Sequence, residues 1–132
     1  MKQPLEIPFF FDVNKKVLSK MNKKLCKILC DDPTIPDTIS LVQTQKGSFT
    51  IKYQDVLLHS AYNAEKEAER FVRAQSIQEG NTVIVYGLGL GYHITEILKA
   101  VGPQGKVFVL EPNLDILKAA FLYNVLQKSY IY

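Results

Sequence analysis

Three glycines stand at alternate positions, Gly87, Gly89 and Gly91, between the apolar run Val83 to Tyr86 and the amphipathic segment that starts at His93. Glycines so placed leave backbone N–H groups uncovered at the start of a helix, where the dipole favours an electron-rich ligand. Tyr92 and His93 follow at once and add a phenol and an imidazole in reach of such a ligand. Glu111 comes 20 residues after Gly91, at the end of the next apolar run. A carboxylate there can accept hydrogen bonds from both hydroxyls of a ribose. Gly87, Gly89, Gly91, Tyr92, His93 and Glu111 are therefore the candidate cofactor-binding set.

The spacing narrows the cofactor. A dinucleotide fingerprint needs glycine at the sixth position, and Tyr92 stands there instead; no Gly-Lys-Ser/Thr ending is present to make a P-loop. Gly-x-Gly-x-Gly is the spacing of S-adenosylmethionine-dependent methyltransferases, so S-adenosylmethionine or another nucleotide-type ligand is the class the loop would take. Two features oppose that reading. The position two before the first glycine, usually acidic in those enzymes, is Val85, and Leu88 and Leu90 remove polarity from the loop. In the alternative, the glycines only permit close packing of helix on strand, and Glu111 caps the turn at Pro112-Asn113.

Other polar residues carry two readings each. At the start of a helix His93 meets a dipole that disfavours imidazolium; it either donates to a ligand oxygen or satisfies backbone. His59 and Ser60 end a strand and reach the glycine loop if strand and loop are adjacent, or else form a turn. Glu67 and Arg70 either wall a cleft or face solvent, and Tyr92 packs on a sheet edge. Cys26 and Cys30, four apart with no third cysteine and no nearby histidine, read as buried or half-buried free thiols and not as a metal site. No Ser-His-Asp set and no paired carboxylates of catalytic spacing stand out.

These groups must be positioned by a chain of 132 residues, 47% hydrophobic and 22% charged, ordinary for one globular domain with its own core. Apolar windows are broken well short of the roughly 20 residues that a membrane span needs. Met1 to Phe11 lacks the apolar core of a secretory signal, so a cytoplasmic location is expected. The formal net charge is +3. Residues 1–30 hold seven lysines against Glu6 and Asp12, which leaves the remainder slightly acidic. Val13, Val17, Leu18, Met21, Leu25, Ile28 and Leu29 recur at helical spacing with lysines on the other faces. With no arginine and few interleaved aromatics, that surface reads as a solvated helix face rather than a nucleic-acid interface.

Beyond the proline-bearing "DDPTIPDT" the apolar period changes to two, over Ile39 to Gln43, Phe49 to Tyr53 and Val56 to Leu58, which predicts an antiparallel meander turning at Lys46-Gly47. "NAEKEAERFVRAQS" predicts a helix capped by Asn63, with Ala64, Ala68, Phe71 and Val72 on its inner face and a Glu69–Arg73 pair outside. Val83 to Tyr86 and Val107 to Leu110 read as parallel strands buried on both faces, with helices over 93–101 and 113–127. The expected fold class is α/β: an N-terminal helix and a small antiparallel β-meander, then a partial Rossmann-like, methyltransferase-like β-α-β-α unit. The divisions fall at 1–37 for the basic helix and loop, 38–80 for the meander and helix, and 81–132 for the Rossmann-like part.

"LHSAYNAEKEAERFV" at 58–72, "VIVYGLGLGYHITEIL" at 83–98 and "VFVLEPN" at 107–113 together resemble the N-terminal domain of the motility-associated factor glycosyltransferases, over roughly residues 10–132. The resemblance implies a bacterial protein of the kind that attaches nonulosonic acids to flagellin Ser and Thr. It also implies that the sugar-transfer site belongs to a further domain beyond Tyr132. The chain is then an N-terminal domain or domain fragment without a complete catalytic centre of its own, an accessory to assembly or to acceptor or ligand binding, the alternatives being the S-adenosylmethionine binder above and a purely structural module. Its expected partners are that downstream glycosyltransferase domain, a flagellin-like acceptor and a second copy of itself, with neither nucleic acid nor a membrane span. Phe121, Tyr123 and Ile131 are expected among the apolar groups that association would cover.

Overall fold

The computed structural model describes residues 9–31 and 36–123. Helices α1 (Phe9–Met21) and α2 (Lys23–Cys30) lead into strands β1 (Ile39–Gln43), β2 (Phe49–Tyr53) and β3 (Val56–Leu57), followed by α3 (Ala64–Arg73), β4 (Thr82–Tyr86), α4 (Tyr92–Val101), β5 (Lys106–Leu110) and α5 (Leu114–Tyr123). The first three strands form an antiparallel sheet in the order β1-β2-β3, while β4 and β5 pair in parallel with Val85 opposite Val109. The mixed α/β class, the meander and the β-α-β-α unit thus stand as the apolar periods predict. The far end of the expected helix over 113–127 lies outside the described residues.

The basic amphipathic run is two helices instead of one. Asn22 leaves helical geometry at φ −152° and ψ 86°, and its side-chain oxygen accepts from the Leu25 N–H at 3.0 Å. Asparagine competes for such a cap more strongly than it favours a helix interior. The break folds α2 back so that the Cys26 thiol reaches the Lys15 carbonyl at 3.8 Å. It also changes the inner face: Asn14, Leu18, Cys26 and Leu29 are buried, whereas Ile28, expected inside, is 43% exposed. Lys15, Lys16, Lys20, Lys23, Lys24 and Lys27 are all exposed. Replacing Asn22 with alanine should cost about 1 kcal/mol in urea unfolding. An unchanged midpoint would mean that packing of Cys26 and Leu29 alone starts α2.

The main core joins Leu18 and Leu29 of the N-terminal helices to Val72, Ile94, Ile97, Val101, Val107 and Phe121. Phe121, expected to seek cover from a partner, is 1% exposed inside it; the Tyr123 side chain and Ile131 lie outside the described residues. The Asn14 side-chain amide donates to the Phe121 carbonyl at 2.6 Å and ties α1 to α5. A second cluster packs Ile39 and Ile51 of the meander against Leu90, Ile116 and Ala119.

Two further expected burials are absent. Phe71 is 56% exposed, because Ala64, Ala68 and Val72 alone make the inner face of α3. The parallel strands are buried on one face only: Val83, Val85, Val107 and Val109 meet the core, whereas Ile84 and Tyr86 are 70% and 78% exposed. Asn63 caps α3 by accepting from the Lys66 N–H at 2.9 Å, and Glu69 pairs with Arg73 at 2.6 Å, as their spacing requires.

Candidate functional site

The glycine loop crosses from β4 to α4 and bridges the two cores. Leu88, 3% exposed, enters the main cluster, and Leu90, 2% exposed, enters the meander cluster. The two leucines that remove polarity from the loop are therefore its anchors. Gly91 opens α4 in a left-handed conformation, φ 83°, which costs glycine no steric penalty.

Four of the five backbone N–H groups of loop 87–91 donate within the chain. Gly87 donates to the Leu110 carbonyl at 2.8 Å and Gly91 to the Leu88 carbonyl at 2.9 Å. The Leu88 N–H donates to Glu111 Oε1 at 3.1 Å, and the Leu90 N–H donates to His59 Nε2 at 2.8 Å. Glu111 uses its other oxygen as well, since Oε2 accepts from the Asn113 N–H at 3.2 Å. The carboxylate that could hold a ribose thus spans the loop and the turn before α5, where Asn113 Oδ1 in turn accepts from Asp115 and Ile116.

Of the six residues singled out from sequence, Gly87, Gly89, Gly91, His93 and Glu111 come together at the loop. His93 Nε2 lies 3.1 Å from the Gly87 carbonyl, which can only accept, so this nitrogen carries the proton. Tyr92 points to the meander instead. Its hydroxyl donates to the Phe49 carbonyl and accepts from the Phe49 N–H at 3.3 Å. Strand β3 pairs only with Lys52 and Tyr53, so the Phe49 end of β2 is an edge that Tyr92 closes. Burial raises the Tyr92 phenol above its ordinary range, keeping it a donor.

His59 proves central to the loop. Its ring is 9% exposed, meets Tyr92 edge-on at 5.0 Å and lies 6.2 Å from the His93 ring. Thr50 Oγ1 fixes its backbone on both sides, donating to the His59 carbonyl at 3.0 Å and accepting from its N–H at 3.2 Å. Burial first, and then the nearby His93, lower the His59 pKa to about 4. A neutral ring suits an Nε2 that accepts from Leu90. The sequence places His59 at a strand end but offers no local sign of a contact 31 residues away.

A cavity of about 250 Å³ opens beside these rings, lined by Leu58, His59, Glu67, Ala68, Phe71 and His93. Glu67 walls it while its Oε1 accepts from the Ser60 N–H at 3.0 Å; Arg70 does not line it. Away from the loop, the Cys26 and Cys30 sulfurs are 3.6 Å apart as free thiols. Burial, with the Cys26 neighbour second, pushes the Cys30 thiol up to about 11, far from a reactive thiolate. No group of three or more His, Cys, Asp or Glu suited to a metal occurs among the described residues, and no described helix is long and apolar enough to cross a membrane.

Comparison with known proteins places this architecture. The Maf glycosyltransferase of Magnetospirillum magneticum AMB-1 shares the fold at a TM-score of 0.63 and 15% identity, over 85% of this chain and 23% of that one. An uncharacterized protein of Treponema pallidum (strain Nichols) is 29% identical over 87 residues, 66% of this chain and 15% of the relative. The chain therefore spans less than a quarter of the length of either. The family model described as the glycosyltransferase Maf N-terminal domain matches residues 9–124, a span that takes in every element from α1 to α5, and the chain belongs to that family.

Proposed function

We propose that the chain is the accessory N-terminal domain of a motility-associated flagellin glycosyltransferase, acting in the cytoplasm, non-catalytic by itself and serving assembly with the downstream glycosyltransferase domain or binding of the flagellin-like acceptor. The observation that carries this reading is the open outer face of the parallel sheet, where Ile84, Tyr86 and Leu110 are 70%, 78% and 56% exposed. Parallel strands ordinarily have both faces covered. Removed from its downstream neighbour, the chain is expected to cover that face with a second copy. Light scattering across a wide concentration range should show reversible association that Tyr86→Lys abolishes. A strictly monomeric particle would sink the assembly role, and turnover of an activated nonulosonate by the chain would sink the non-catalytic one.

The second reading, binding of S-adenosylmethionine at Gly87, Gly89, Gly91 and Glu111, is favoured by one feature: Glu111 does lie at the strand end beside the loop, its carboxylate 3.1 Å from the Leu88 nitrogen. Against it, that carboxylate and most of the loop amides already have partners, so a ligand would first have to break them. Calorimetry with S-adenosylmethionine separates the two: no heat of binding is expected.

A further inference from the structure

The cavity between the end of the meander, α3 and the first turn of α4 has a polarity that selects its occupant. His59 Nε2 accepts from Leu90, so the neutral ring carries its proton on Nδ1; His93 donates from Nε2 to Gly87, so its neutral form has a lone pair on Nδ1. Neither Nδ1 has a partner among the described residues. The cavity both rings line is thereby offered one donor and one acceptor. Glu67 brings a carboxylate with Oε1 engaged by Ser60 and further acceptor capacity on Oε2. Leu58, Ala68 and the exposed ring of Phe71 complete an apolar wall.

Charged ligands fit this set poorly. An anion meets the Glu67 carboxylate, and a cation drawn by that carboxylate has no acceptor to offer the Nδ1–H of His59. A hydroxyl matches both rings, because it can accept from His59 and donate to His93, whose ring centroids are 6.2 Å apart; a second hydroxyl can donate to Glu67. A C–H face then lies against the ring of Phe71, which is exposed beside the cavity. At about 250 Å³ the space is below the roughly 300–1,000 Å³ of sites for larger ligands, which limits it to a single ring. We propose that this cavity, built by His59, Glu67, Phe71 and His93, is a binding site for one neutral monosaccharide ring. The inference goes beyond the accessory role proposed above and does not depend on it.

The test follows the histidine ring nitrogens by NMR in the 132-residue chain during titration with methyl glucoside to about 100 mM, a range suited to the roughly millimolar affinity of so small a ligand. The His59 and His93 nitrogens should shift saturably. Phe71→Ala, at an exposed position that spares the fold, should weaken binding about tenfold, and Glu67→Gln, which keeps an acceptor for Ser60, several-fold. Preference for the methyl glycoside over free glucose would mark the end of a glycan, and the reverse a free sugar; both support the site. Shifts that stay linear, binding unchanged in Phe71→Ala, or methyl glucuronide bound as tightly as methyl glucoside would overturn it.

Discussion

Replacing Gly89 with valine is expected to destabilise the fold by about 2–5 kcal/mol, a large part of the roughly 5–15 kcal/mol that holds a domain of this size together. Two causes add. Gly89 has φ +55°, where a β-branched residue is a genuine outlier and the left-handed conformation costs about 1–2 kcal/mol. A Cβ at that position would lie 2.5 Å from His59 Nε2 and 2.7 Å from Cε1, so the imidazole must move. It has little freedom to do so, being buried, bonded to the Leu90 N–H and held by Thr50 through its own backbone. Displacing it adds the roughly 1–3 kcal/mol typical of overpacking. Gly87 is the control: at φ +103° it has open space where its Cβ would be, so Gly87→Ala should cost backbone strain alone, about 1–2 kcal/mol. Urea unfolding of the three proteins measures the difference. Wild-type stability in Gly89→Val would remove the close approach from the account of the loop.

That contact explains why the three glycines were visible in the sequence while their purpose was not. Their alternation and the flanking apolar runs locate the strand-to-helix turn, and Asn63 and the change of period at Ile39 locate a helix start and the strands, because each is a local signal within a few residues. The question of ligand or packing depends on His59, 31 residues from the amide it binds. No local pattern encodes that pairing. The same limit hid the outer face of β4 and β5. A run such as Val83 to Tyr86 has the same composition whether both faces are covered within the chain or one is left for a neighbour, and only the tertiary arrangement distinguishes Val85 from Tyr86. At Asn22 the failure was one of competition: the hydrophobic period continues through it, and a side chain suited to capping overrode the period. Spacing alone turns Phe71 inward, whereas two alanines and a valine already fill the space beneath α3.

Acid should loosen the loop before it unfolds the chain as a whole, through His59. Its pKa of about 4, against 6.5 for an unconstrained histidine, means that the unfolded chain takes up a proton that the native state refuses. Stability contributed by the neutral ring is complete above about pH 6.5 and is lost as pH falls toward 4, because within that window the unfolded state binds more protons. At about 1.4 kcal/mol per pH unit the loss reaches about 3 kcal/mol at the lower end. The groups facing the ring set this window. His93 at 6.2 Å opposes protonation, the edge of Tyr92 at 5.0 Å carries no charge, and the Glu67 carboxylate across the cavity, engaged by the Ser60 N–H, does not offset the burial. A protonated Nε2 can no longer accept from Leu90, so the bond at 2.8 Å is replaced by two opposed donors. Leu90 then loses the tie that holds it in the meander cluster, and the junction between the two cores opens first. Urea midpoints at pH 7, 5.5 and 4.5 should fall in step, and His59→Gln should flatten that slope whatever its stability at pH 7. An NMR titration in which His59 takes its proton near pH 6.5 with the Leu90 amide undisturbed would sink the mechanism, since the ring would then be neither desolvated nor engaged by the loop.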